Sequence, residues 1–71
     1  MYDADMEVSG VKLRELREDR TLSVRELAAL AGVHYNTIVR LENNQSGAQP
    51  RTLRKLAVAL DVDPRELRRK R

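Results

Sequence analysis

Residues 22–41, LSVRELAALAGVHYNTIVRL, decide how this chain folds. Leu27, Ala28 and Ala31 recur at helical spacing before Gly32, and Ile38 and Leu41 do so after it. The period predicts two short helices hinged at Ala31-Gly32-Val33, each turning its apolar residues inward. Ala28 and Gly32 are small where two helix axes must approach closely. Gly32 also accepts the positive φ that stops a helix without steric cost. Ser23 opens the first of these helices, and Glu26 three residues later completes a capping box.

Further helices flank this pair. Ser9 caps a helix over Gly10–Asp19 whose apolar side is Val11, Leu13 and Leu16, with Arg20-Thr21 ending it. His34 takes the N-cap position of the helix that runs from Tyr35 to about Asn43, and Asn44 stops it in a left-handed conformation. Gln45–Pro50 (QSGAQP) reads as the one real loop. A fourth helix from about Arg51 to Leu60 buries Leu53, Leu56, Ala57 and Leu60. Asp63-Pro64-Arg65-Glu66 combines an Asx cap, a first-turn Pro and an early Glu, which predicts a fifth helix burying Leu67, with Val62 just before it. The expected fold is all-α with five helices. Residues 1–8 are polar and acidic without periodicity and read as a flexible N-terminal arm; 9–71 form the domain.

Composition narrows the function. Seventy-one residues make one domain, with a net stability of about 3–5 kcal/mol. There is no Cys and a single His, His34, so disulfides, thiolate sites and a zinc site are excluded, and no metal or cofactor is expected. One His without Cys also leaves few nucleophile–base pairs, and the carboxylates read as caps or helix-surface charges, so an enzyme is not expected. No apolar run approaches the roughly 20 residues of a membrane span. The acidic start does not resemble a secretory signal, and a cytoplasmic protein is expected. Residues 1–10 contain Asp3, Asp5 and Glu7 and no base, whereas the remainder carries 14 Lys/Arg against 8 Asp/Glu, a net +6. A basic body suits a phosphate-bearing partner. Two Tyr with no Phe or Trp argue against the stacking platforms of single-strand binders.

Two helices joined by a short Gly-containing turn make the helix-turn-helix unit, whose second helix enters the major groove of DNA. With Ile38 and Leu41 turned inward, the opposite side of that helix, roughly 180° away, carries Asn36, Val39, Arg40 and Asn43, with Tyr35 at its N-terminal edge. Arg bonds guanine O6 and N7, Asn bonds adenine N6 and N7, and Val39 suits a thymine methyl. Base contacts are therefore expected at Tyr35, Asn36, Val39 and Arg40. Glu42 falls toward the core instead, where a carboxylate needs a cation. Arg17, four residues after Leu13, lies on the inner face of the first helix, and a structural Arg17–Glu42 ion pair is expected. Arg51 and Thr52 stand at a helix N-terminus that favours phosphate, and with Asn43 they are expected positioning contacts. The basic run of Arg65, Arg68, Arg69, Lys70 and Arg71 suits either a helix C-terminus or non-specific DNA contact.

The run LRELREDRTLSVRELAALAGVHYNTIVRLENN resembles the lambda-repressor/Cro-like (Xre-type) helix-turn-helix family, and PRTLRKLAVALDVDPREL resembles its fourth and fifth helices. The resemblance covers roughly Val11 to Leu67. It implies a five-helix domain whose third helix lies in the major groove of double-stranded DNA, with Tyr35, Asn36 and Arg40 as base contacts and Arg17–Glu42 as the internal ion pair. It also implies a homodimer, formed even if only on DNA, that reads half-sites about 34 Å apart. Three positions depart from the pattern. Val24 replaces the Gln that reaches a phosphate in many relatives, so Ser23 and Arg25 must serve there; His34 replaces Ser or Thr; and Asn44 replaces Gly. The leading reading is a small sequence-specific transcriptional regulator. The alternative is a protein-interaction module of the same fold, such as an antitoxin or accessory subunit, with Val24, Tyr35 and Val39 as partner contacts.

Overall fold

A helix leaves its first N–H groups without intrahelical acceptors, and most helix starts in this chain supply one from a side chain. The computed structural model describes residues 7–68, which form α1 (Gly10–Asp19), α2 (Val24–Ala31), α3 (Tyr35–Glu42), α4 (Pro50–Leu60) and a 3₁₀ turn at Pro64–Glu66. Ser9 Oγ accepts from the Lys12 N–H at 3.2 Å, and His34 Nδ1 accepts from the Asn36 N–H at 3.0 Å. Ser23 and Glu26 form a reciprocal box, each side chain accepting from the other's backbone N–H. Asp63 Oδ1 accepts from the Arg65 N–H at 2.8 Å. Among the described residues only α4 begins without a side-chain cap; there Pro50 fills the first helical position, a place where its missing N–H costs nothing. The expected loop therefore ends at Gln49, one residue earlier than the composition of QSGAQP implies. α3 ends at Glu42 with Asn43 as its C-cap.

Left-handed residues stop the helices. Gly32 closes α2 at φ 69°, and Asn44 follows α3 at φ 57°. Thr21 and Asp61 adopt the same region at φ 56° and 58° after α1 and α4. The expected fifth helix is a single 3₁₀ turn of three residues. Its Asp63 cap and first-turn Pro64 are the start that the sequence signals.

The apolar stripes meet in one core of Leu13, Leu16, Leu27, Ala28, Ala31, Ile38, Leu41, Leu53, Leu56, Ala57, Leu60 and Leu67, joined by Val8 and Ala48. α3 packs against α1 and α2, and α2 also packs on α4. Val11 is not part of this core; it is 65% exposed. It lies two residues from Leu13, roughly 160° around the helix, so the buried side of α1 is Gly10, Leu13 and Leu16. Val8 departs in the other direction. It is buried and forms an antiparallel bridge with Arg68, while the Ser9 N–H donates to the Leu67 carbonyl at 2.8 Å. Val8 and Leu13 occupy the N′ and N4 positions of α1, the two places a hydrophobic staple uses. The described part of the expected arm is thus reduced to Glu7; residues 1–6, and the basic residues 69–71, lie outside the described residues.

At Gly10 the start of α1 lies directly against the end of α3. The Gly10 N–H donates to Asn44 Oδ1 at 3.0 Å, and a Cβ built on Gly10 would lie 2.5 Å from the Glu42 carbonyl oxygen and 2.6 Å from that of Leu41. The N-terminus of α1 therefore abuts the C-terminal carbonyls of α3, which brings helix ends of opposite partial charge together.

Ala at an open helix start would be neutral or favourable. Here Gly10→Ala should instead destabilise by about 1–3 kcal/mol, measured as a fall in thermal midpoint with no loss of helical signal in the remaining folded state. The caps also fix the response to acid. Hydrogen bonds from the Ser23 backbone, then its side chain, hold the Glu26 carboxyl below its ordinary 4.5, and Arg65 holds Asp63 below 3.8. Carboxyls depressed in the folded state stabilise it above those ordinary values and lose that contribution as pH falls through the folded ones. Glu26→Gln retains a capping side chain without the titration, so its stability should decline less steeply than wild type below about pH 4.5, as read by denaturant unfolding across pH.

Candidate nucleic-acid interface

α3 divides into an inner and an outer half. Ile38 and Leu41 are fully buried, whereas Tyr35, Asn36, Arg40 and Asn43 are exposed and Val39 is half-buried. An exposed face bearing Asn, Arg and Tyr on a helix fixed from behind is suited to meet base edges.

What fixes it from behind is Arg17. Its Nε donates to Glu42 Oε2 at 2.6 Å and its Nη2 to Oε1 at 3.1 Å, while Nη1 donates to the Leu22 carbonyl at 2.7 Å. Both side chains are only about one-tenth exposed, at 11% and 10%. The paired geometry matches a planar guanidinium to a carboxylate, and one side chain thereby joins α1, the link into α2 and the end of α3. Hydrogen bonding to Glu42 raises the Arg17 pKa further above its already high ordinary value. The guanidinium stays charged at any working pH.

The remaining expected contacts gather at helix N-termini. Ser23 and Arg25 are exposed at the start of α2. The Ser23 hydroxyl oxygen accepts from the Glu26 N–H, and the same side chain also hydrogen-bonds the Glu26 carboxyl. Arg25 and Tyr35 are brought together: Arg25 Cζ lies 5.1 Å from the centre of the Tyr35 ring. Arg51 is exposed and Thr52 half-buried in the first turn of α4, whose N–H groups meet no side-chain cap. Arg51 also borders a shallow groove between α2 and α4 with Leu30, Ala31, Arg54, Lys55 and Val58. Sequence reasoning missed Gly10, the third Arg17 bond to Leu22, and the Arg25–Tyr35 contact; the first has its cause in α3 and the last in a turn between two helices. Among the described residues no group of His, Asp or Glu side chains is arranged to hold a metal ion, and no helix is long and apolar enough to cross a membrane.

A four-helix core carrying an outward α3 behind a Gly turn defines a helix-turn-helix domain. The helix-turn-helix family profile matches residues 13–67, and the chain belongs to that family. Among its relatives is the HTH-type transcriptional repressor RghR of Bacillus subtilis, 47% identical over 58 residues, which are 80% of this chain and 43% of RghR. The chain thus spans less than half the length of that curated relative. Similar solved structures include the restriction-modification controller protein C.AhdI from Aeromonas hydrophila (TM-score 0.77, 40% identity, 80% of this chain and 86% of that one). They also include the biofilm master regulator SinR, solved in complex with DNA (TM-score 0.75, 30% identity, 79% and 90%).

The ion pair makes a direct prediction. Glu42→Gln leaves a nearly buried guanidinium without its counter-charge and should cost about 3 kcal/mol. Replacing both partners, as in Arg17→Met with Glu42→Leu, should recover part of that loss, with urea unfolding of the two singles and the double giving the coupling.

Proposed function

We propose that this domain binds double-stranded DNA sequence-specifically, with α3 in the major groove, as the DNA-reading part of a transcriptional regulator. The outward placement of Asn36 and Arg40 on α3, opposite Ile38 and Leu41, carries the proposal. In this reading Arg40 recognises guanine, Asn36 recognises adenine, Val39 meets a thymine methyl, and Tyr35 reads at the N-terminal edge. Ser23, Arg25, Asn43, Arg51 and Thr52 hold phosphates and set the register. The family membership and the regulators among its relatives support the assignment.

Two copies bound as a homodimer would read half-sites about 34 Å apart. Val58 of α4 and Leu30 of α2, 81% and 62% exposed, offer apolar surface for such a contact. The proposal places the chain in the cytoplasm, the compartment of the DNA it would read in a cell without a nucleus. Selecting sites from a random duplex pool tests it: an enriched palindrome supports it, and indifference to duplex DNA sinks it.

Two substitutions separate reading from positioning. Arg40→Ala should weaken the selected site by about 1–3 kcal/mol and relax one base position. Arg51→Ala should weaken selected and random duplexes alike and flatten the salt dependence by about one unit of slope. Fluorescence-anisotropy titrations across salt concentrations measure both.

A further inference from the structure

Arg25 stands where its own helix does not favour it. It is the second residue of α2, and the open N–H groups and dipole of a helix N-terminus repel a cation. Among the described residues its guanidinium enters no ion pair. Its side-chain contact is the Tyr35 ring, with Cζ 5.1 Å from the ring centre, within the range of a cation–π attraction.

Both ends of this contact are anchored. Arg25 lies between Ser23 and Glu26, whose reciprocal hydrogen bonds close the first turn of α2. Tyr35 is the first residue of α3, directly after the His34 cap. The left-handed Gly32 turns the chain between them, so two side chains ten residues apart meet at the N-terminal edge of the outward face of α3. A Tyr at an exposed helix start otherwise exchanges among staggered rotamers. A guanidinium against the ring selects one of them, and its own N–H groups remain free at the edge of the plane.

We infer that Arg25 is a specificity-positioning residue: by packing on Tyr35 it sets where the phenol meets the bases, so the preference that Tyr35 reads depends on Arg25. The inference rests on the reading of α3 proposed above. It adds to the phosphate contact proposed for Arg25, which by itself carries no sequence information.

Site selection and titration with Arg25→Ala, Arg25→Lys, Tyr35→Ala and the Arg25→Ala/Tyr35→Ala double variant decide it. Tyr35→Ala and Arg25→Ala should flatten preference at the same base position, each by roughly fivefold or more, and the double should flatten it no further. Arg25→Lys should keep the salt dependence but lose most of that preference, because an ammonium lacks the planar stack. In the free protein, NMR should show the Arg25 side-chain protons shifted by the Tyr35 ring current, an effect absent from Tyr35→Ala. Uniform weakening of all sequences by Arg25→Ala, with the preference at the Tyr35 base position unchanged, overturns the inference, as does the absence of the ring-current shift. If Tyr35→Ala changes no preference the inference falls with it. Arg40→Ala then shows independently whether α3 reads bases at all.

Discussion

The hydrogen-bonded pair of Arg17 and Glu42 is the interaction on which the placement of α3 depends. Glu42 is the last residue of α3, where a carboxylate opposes the helix dipole and a cation complements it. Arg17 answers both demands with two hydrogen bonds and spends a third on the Leu22 carbonyl just before the α2 cap. Apolar packing alone would leave a helix of only 8 residues free to slide or rotate over Ile38 and Leu41. The ion pair gives it a rotational setting, and Gly10 with Asn44 gives it an axial stop. A chain without disulfides has few other devices for this.

The disposition of carboxylates follows the same logic. Glu26 is committed to the α2 cap, Glu42 to Arg17, Asp63 to Arg65, and Glu18 to Arg14. α4 contains no acid at all, and Glu42 is the sole acid in α3. Internal use of the acids leaves Arg40, Arg51, Arg54 and Lys55 as the charges that these two helices present outward. The modest overall charge of +3 therefore understates how basic these faces are.

Much of this was legible in the sequence because the signals are local. The capping box at Ser23, the Gly32 turn and the period of Leu27, Ala28, Ala31, Ile38 and Leu41 lie within 20 residues and specify α2 and α3 together. The outward set on α3 follows from the same period. The Arg17–Glu42 pair, 25 residues apart, was legible only because each partner's helical position put a charge on an inward side. Signals of other kinds failed. Val11 is apolar yet off the buried stripe, so composition misleads where angle decides. Val8 reads as part of an acidic arm, and only its staple position relative to Leu13 marks it as core. The constraint on Gly10 resides in carbonyls of another helix, and nothing near Gly10 announces it. A three-residue turn and a longer helix also share the same Asp-Pro start, so that start signals where the element at Pro64–Glu66 begins and not how long it is.

The separation of α3 into a fastened side and a presented side has a consequence for how such a domain diversifies. In the proposed reading, substitutions at Asn36, Val39 or Arg40 leave Ile38, Leu41 and Glu42 in place, so target preference could drift in small steps while the scaffold keeps its stability. A lineage can thus acquire new binding sites by altering a handful of codons, without first solving the folding problem again.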